Sequence, residues 1–202
     1  MGDGSGKLTR LRGRAWVAES AAGFDYRVTG DGFWQVHRRA PEVLIDAVLA
    51  GLQPAGGEKI ADLYAGAGLF TAPLAAAVGE HGRVLSVEGA AGTSRDARRN
   101  LHAYPHVDIF QGRVERILRS QRSRWNGVVL DPPRTGAGKV VVQELIRSEP
   151  RAVGYVSCDP ASFSRDLGYF RRAGWRLQNL RAFDLYPSTH HMETLAVLVP
   201  GE

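Results

Sequence analysis

Cysteine is nearly absent: Cys158 is the only one in 202 residues. A lone thiol cannot close an internal disulfide, and it cannot supply a multi-cysteine zinc or iron–sulfur site. Lysine is almost as scarce, occurring at Lys7, Lys59 and Lys139, so arginine carries the positive charge. Long apolar runs are missing too. Nothing approaches the roughly 18 residues that a membrane-spanning helix requires. The segment Met1 to Arg14 is polar and basic, with no apolar signal core. The expectation is a cytoplasmic chain with no membrane contact. No obligate protein partner is inferred, and there is no internal repeat or long low-complexity tract.

What is present is ordinary for a folded domain: 44% hydrophobic and 23% charged residues. A chain of this length buries roughly 70% of the surface its unfolded form exposes, so it folds without covalent staples. The net charge is +5. Guanidinium groups suit bidentate phosphate contact, although solvated helix faces also carry arginine.

Residues 1–14 have the glycine-rich composition of a flexible lead-in. Residues 15–57 read as a hairpin followed by a helix. Ala15–Ala18 and Phe24–Val28 are strands separated by a turn at Ser20–Gly23. A second turn at Thr29–Gly32 precedes a short strand, Phe33–Val36. The helix after Pro41 puts Val43, Leu44, Ala47, Val48 and Leu52 on one face. From residue 58 to 202 strands alternate with helices. Strands are predicted at 60–64, 84–87, 107–110, 127–130 and 152–156, with a closing hairpin of 175–183 and 195–199. A helix runs from Gly66–Gly68 to Ala77, and another from about Gly92 to Ala103. This alternation predicts an α/β fold with a mostly parallel sheet and helices on both faces.

Such sheets bind ligands at the carboxyl ends of their strands, and the reactive residue types gather there. Asp62–Gly68 supplies glycines for a tight turn and close backbone approach. A dinucleotide site would want a third glycine where Thr71 stands. Glu88 ends the second core strand, where a carboxylate can accept hydrogen bonds from both ribose hydroxyls. Together these fit an adenosine-containing cofactor without a pyrophosphate, which describes S-adenosylmethionine. Asp131 is followed by Pro132 and Pro133, which stiffen the backbone and aim its carboxylate at a bound ring. Cys158 ends another buried strand. It is either a small buried hydrophobe or a nucleophile whose thiolate is favoured by a helix starting at Pro160, with Asp159 opposing. The adjacent His190 and His191 rarely face one ion together, and Pro105 separates His102 from His106, so no metal is expected.

Phe33-Trp34-Gln35, Asp62–Gly68, Asp131–Arg134, Ser157–Pro160 and Asp184–Glu193, in this order, resemble the RNA uracil-C5-methyltransferase family. The resemblance covers about residues 24–199. It implies a class I methyltransferase, Rossmann-like fold: a seven-stranded sheet with the last strand antiparallel, here preceded by a short β-hairpin. It also implies methyl transfer from S-adenosylmethionine to C5 of a uridine in transfer or ribosomal RNA. By this resemblance Gln35 serves cofactor and target base, Tyr64 lies at the cofactor, and Gly66, Gly68 and Glu88 bind it. Asp131 stands between cofactor and base, Cys158 is the nucleophile, and Glu193 is the base that removes a proton. Arg134, or the stretch Arg113–Arg124, could hold RNA phosphates; a solvated helix face is the competing reading of the latter.

The family pattern usually has asparagine where His37 and Leu69 stand and threonine where Ser162 stands. Its members also usually carry an N-terminal RNA-binding barrel and a central domain, often with an iron–sulfur cluster. Neither fits before residue 15, so the expectation is a catalytic domain alone, without such a cluster. Two other readings stay open. One is methylation of cytosine or a small molecule. The other is a cofactor- or RNA-binding fragment without catalysis.

Overall fold

The structure, a computed structural model, describes residues 12–30, 32–189 and 191–201. Most of the expected lead-in, Asp31 of the second turn and His190 lie outside the described residues.

Strands β1 (Trp16–Ala21) and β2 (Phe24–Thr29) pair antiparallel. Ala22 and Gly23 join them with φ of 50° and 83°. Positive φ at both central residues matches the twist of a two-residue hairpin. Helix α1 (Ala40–Leu52) accommodates Pro41 in its first turn, where no helical amide is needed. It buries Leu44, Ile45, Ala47, Val48 and Leu52, while Val43 is only half-buried.

Then follow β3 (Lys59–Leu63), α2 (Thr71–Val78), β4 (Arg83–Glu88), α3 (Ala91–Asn100), β5 (Val107–Gln111), α4 (Val114–Gln121) and β6 (Gly127–Leu130). The chain continues through α5 (Gly138–Arg147), β7 (Ala152–Ser157), α6 (Pro160–Arg172), β8 (Trp175–Phe183) and β9 (Glu193–Pro200). The seven-stranded sheet has the order β5-β4-β3-β6-β7-β9-β8. Only β9 runs against its neighbours. Every residue of β6 and β7 is buried, as strands covered on both faces require. One apolar cluster joins the hairpin's Tyr26 and Val28 to α1, α2 and α3. The other lies under α4, α5 and α6. The expected Rossmann-like class I architecture is therefore the observed one.

The chain steps from β3 outward to β5, then returns to β6 on the other side of β3. The carboxyl ends of β3 and β6 thus flank the point where strand order reverses, the usual ligand crevice of such sheets.

The hairpin is tied to this crevice. Buried Asp96 accepts the Thr29 amide at 2.8 Å and also the Thr29 hydroxyl. The Asn100 side chain accepts the Arg27 amide at 2.9 Å and donates to the Ala67 carbonyl at 2.9 Å. Tyr26 Oη donates to the Leu69 carbonyl at 2.9 Å. These bonds tie the hairpin, α3 and the glycine loop to one another.

Phe33–Val36 is not the expected strand; it is irregular. After β2 the chain turns on Gly30 and Gly32, whose amides bond to Ala15 and Thr29 carbonyls, and it passes along no strand edge. Trp34 packs on Tyr26 with ring centroids 5.1 Å apart, and Gln35 is buried, while Phe33 is 61% and Val36 79% exposed. Among the described residues no helix is long and apolar enough to cross a membrane.

Candidate active site

Tyr64 follows β3 directly and holds a φ of 62°. A non-glycine residue in the left-handed region costs energy and marks a constrained loop. Gly66 continues the turn at φ 57° and donates its amide to Glu88 Oε2 at 2.8 Å. Glu88 Oε1 accepts the Ala90 amide at 2.6 Å. The carboxylate therefore braces two loops, and its remaining lone pairs stay available to a ligand. Gly68, at φ 94°, sits against Leu101, where a Cβ would come within 3.0 Å. Thr71 replaces the dinucleotide-type glycine for a visible reason. Its hydroxyl donates to Asp62 Oδ2 at 2.5 Å and lies 3.1 Å from Ser86 Oγ. Burial lifts the Asp62 carboxyl to about 7, with the Thr71 hydrogen bond opposing and Glu88 adding to the rise.

Phe33, Trp34, Gln35, Tyr64–Ala67, Leu69, Phe70 and Asp131 line a cleft over this loop. Among the described residues, Gln35 Oε1, buried there, has no hydrogen-bond partner. An unpaired buried acceptor costs about 1–3 kcal/mol, so it marks a place where a ligand donor is wanted. Leu69, at a position where an asparagine was the usual residue, offers the cleft an apolar side chain. The cleft offers an apolar, aromatic wall and a buried acceptor, with the Glu88 carboxylate behind its glycine loop, a set of groups compatible with S-adenosylmethionine.

Beyond the cleft, β6, β7 and β9 bring the second group of residues together. Asp131 follows β6, with its amide donating to the Leu63 carbonyl at 3.2 Å. Burial, then Glu193, then Asp62 raise its carboxyl to about 7. Cys158 follows β7 and is half-buried. Burial, Glu193 and Asp131 push its thiol up, and Arg134 pulls it down. As expected, α6 starts at Pro160, directly after the Cys158–Asp159 pair. Asp159 caps α6, accepting the Ser162 amide at 2.7 Å. Cys158 therefore rests as a thiol.

Glu193 opens β9 and is 4% exposed. Burial raises its carboxyl; a hydrogen bond from Tyr186 and the charge of Arg134 lower it. Arg134 is exposed and donates to His191 Nε2 at 3.3 Å. In the Arg113–Arg124 stretch, Arg113 pairs with Glu115, Arg119 with Glu144, and Arg124 with Glu149. Among the described residues no group of three or more His, Cys, Asp or Glu side chains is arranged to hold a metal.

All nine residues singled out in the sequence (Gln35, Tyr64, Gly66, Gly68, Glu88, Asp131, Arg134, Cys158 and Glu193) thus lie along one edge of the sheet. Sequence reasoning missed Tyr186, whose only signal is its place in the Asp184–Glu193 connection. It also missed Asp166. That buried carboxylate accepts the Ala137 and Gly138 amides at 2.7 and 3.0 Å and the Tyr155 hydroxyl at 2.8 Å. It thereby pins the end of the loop that carries Asp131 and Arg134.

A family model described as tRNA (uracil-5-)-methyltransferase matches residues 102–200. An uncharacterized RNA methyltransferase of Streptomyces avermitilis is 48% identical over 197 residues, covering 97% of this chain and 46% of the relative. Among solved structures, the tRNA (uracil-54, C5)-methyltransferase of Pyrococcus abyssi, in complex with S-adenosyl-L-homocysteine, superposes with a TM-score of 0.78. It is 28% identical, and the match covers 93% of this chain and 45% of that one.

The chain is thus similar to RNA methyltransferases of the tRNA (uracil-5-) type. It spans about half the length of the curated relatives it matches; a Streptomyces coelicolor relative, 46% identical, is matched over 100% of this chain and 44% of its own length. A likeness to M. jannaschii TYW2, at 13% identity and a TM-score of 0.66, shows the shared fold alone.

Proposed function

We propose that this chain is the catalytic domain of an S-adenosylmethionine-dependent methyltransferase that acts on C5 of a uridine in transfer or ribosomal RNA. The observation that carries the reading is the convergence of Cys158, Asp131 and Glu193 beside the cleft that Gln35, Tyr64 and the Glu88-braced loop define. Gln35, Tyr64, Gly66, Gly68, Glu88 and Asp131 are the residues that would hold the cofactor. When bound, S-adenosylmethionine supplies an electrophilic methyl group.

The remaining chemistry belongs to the protein. C5 of uracil is a weak nucleophile, and addition of a thiolate at C6 makes it electron-rich. The Cys158 thiol must first give up its proton. Asp131, with its carboxyl at about 7, is a base matched to neutral pH. Cys158 then forms the S–C6 bond, and negative charge spreads to C5 and O4. After C5 is methylated, Glu193 takes the C5 proton. The C–H electrons re-form the C5–C6 double bond, and the S–C6 pair returns to sulfur. Arg134, exposed at the rim, is placed to meet a phosphate, and Gln35 and Asp131 to meet the base. A base inside a helix cannot reach Cys158, so the target nucleotide is unpaired or flipped out.

The test is incubation with labelled S-adenosylmethionine and separate transfer and ribosomal RNA pools, followed by nucleoside analysis. Labelled 5-methyluridine supports the reading. Label in 5-methylcytidine or in a small molecule, or cofactor binding without transfer to any RNA, overturns it.

A further inference from the structure

Tyr186 lies in the connection between β8 and β9, which folds back on itself. The Thr189 amide and hydroxyl both donate to the Tyr186 carbonyl, at 3.1 and 2.7 Å. Leu185, beside it, is buried and anchors the turn in the core. These contacts fix the Tyr186 backbone. The ring packs edge-on against His191, with centroids 5.9 Å apart. Its hydroxyl then donates to Glu193 Oε1 at 3.3 Å. Glu193 is itself held by the β8–β9 ladder, opposite Phe183.

We propose that Tyr186 is a positioning residue for proton removal: its hydroxyl orients the Glu193 carboxylate and keeps it ionised, so that Glu193 can accept the C5 proton. This role rests on the uridine-methylation reading above. Glu193 needs such a partner because it is buried, and burial alone favours the protonated acid, which cannot act as a base. The groups facing it are Cys158 at the end of β7, Asp131 and Arg134 after β6, and Tyr186 in its own connection, with His191 against both Tyr186 and Arg134. Asp131 and the Cys158 sulfur cannot stabilise a second negative charge. Arg134 can, but it is exposed and shared with His191. Among the described residues, the Tyr186 hydroxyl is the side-chain donor that hydrogen-bonds directly to Glu193. It stays a donor, because burial and Glu193 push its own pKa up to about 12.

The test compares wild type with Tyr186→Phe, which removes one oxygen and keeps the ring. Three readouts are taken with RNA tritiated at uridine C5: tritium release against pH, the amount of covalent Cys158–RNA adduct, and S-adenosylhomocysteine affinity. A charge-assisted hydrogen bond of this length is expected to move the acid limb of the release profile up by about one pH unit, a roughly tenfold loss on that limb. Near the plateau at higher pH the variant recovers. Adduct accumulates because it forms normally and is released slowly, and cofactor affinity is unchanged. An unshifted profile, or an equal loss at every pH, overturns the role of Tyr186 while leaving the uridine reading intact. A wild type that releases no tritium from any RNA overturns both.

Discussion

Replacing Glu88 by alanine removes the brace between the glycine loop and the turn after β4. Two amides lose their acceptor: Gly66 N–H, at 2.8 Å in a half-buried position, and Ala90 N–H, at 2.6 Å and exposed. Water replaces the acceptor at Ala90 with little loss. At Gly66 a hydrogen bond to a charged group disappears, worth about 2 kcal/mol. The loop is already strained by the positive φ of Tyr64 and relaxes away from its binding shape. Re-forming that shape on ligand binding then lowers affinity about 30-fold. Loss of the ribose hydrogen bonds adds to this. Titration calorimetry with S-adenosylhomocysteine measures the effect directly, with thermal unfolding as the control for folding. Glu88→Gln, which keeps one acceptor oxygen but no charge, is expected to fall between alanine and wild type. Affinity of the alanine variant within about threefold of wild type would refute both the brace and the ribose role.

Cys158→Ala is expected to abolish methyl transfer and leave cofactor binding nearly unchanged; 5-fluorouridine RNA is expected to trap wild type covalently at Cys158, since fluorine cannot leave as a proton. Turnover by the alanine variant sinks the nucleophile assignment. Asp166→Ala orphans the Gly138 amide and the Tyr155 hydroxyl and leaves the Ala137 amide only its longer bond to Tyr155 Oη; it should cost about 3 kcal/mol, read by urea denaturation. Loss under 1 kcal/mol, on the order of a single exposed bond, would show that the loop is held elsewhere. Asp62 gives a pH signature. Its carboxyl stands at about 7 when folded against an ordinary 3.8, so between those values the unfolded chain has lost a proton that the fold retains. Stability contributed at this site is present at low pH and is lost as pH rises through that window. Asp62→Asn cannot ionise, and it should gain on wild type steadily from acid to neutral pH. Parallel stability profiles would contradict the burial of a titrating carboxyl.

The buried strands were legible in the sequence because β3, β4, β6 and β7 are short apolar runs ending in a polar or reactive residue. A parallel sheet with helices on both faces demands that pattern. Strand ends then place Tyr64, Glu88, Asp131 and Cys158 along one edge without further information. The same local logic failed at Phe33–Val36. Its aromatic and β-branched content suits a strand, but no sheet edge runs beside it, and burial of Trp34 and Gln35 against the cleft decided its path.

Periodicity and strand-end polarity are local properties, and by themselves they determined the α/β class, the hairpin, the helix after Pro41 and the edge on which the chemistry gathers. Side-chain partnerships are not local. Asp96 and Asn100 grip the hairpin across 67 and 73 residues, Asp166 pins a loop 28 and 29 residues away, and Tyr186 meets Glu193 only because their connection folds back. At Cys158 the sequence left a helix start and Asp159 in opposition; in the structure burial, then Glu193 and Asp131, push the thiol up, while Arg134 pulls it down. These outcomes depend on which groups share a small volume of low dielectric, and only the packed structure decides that.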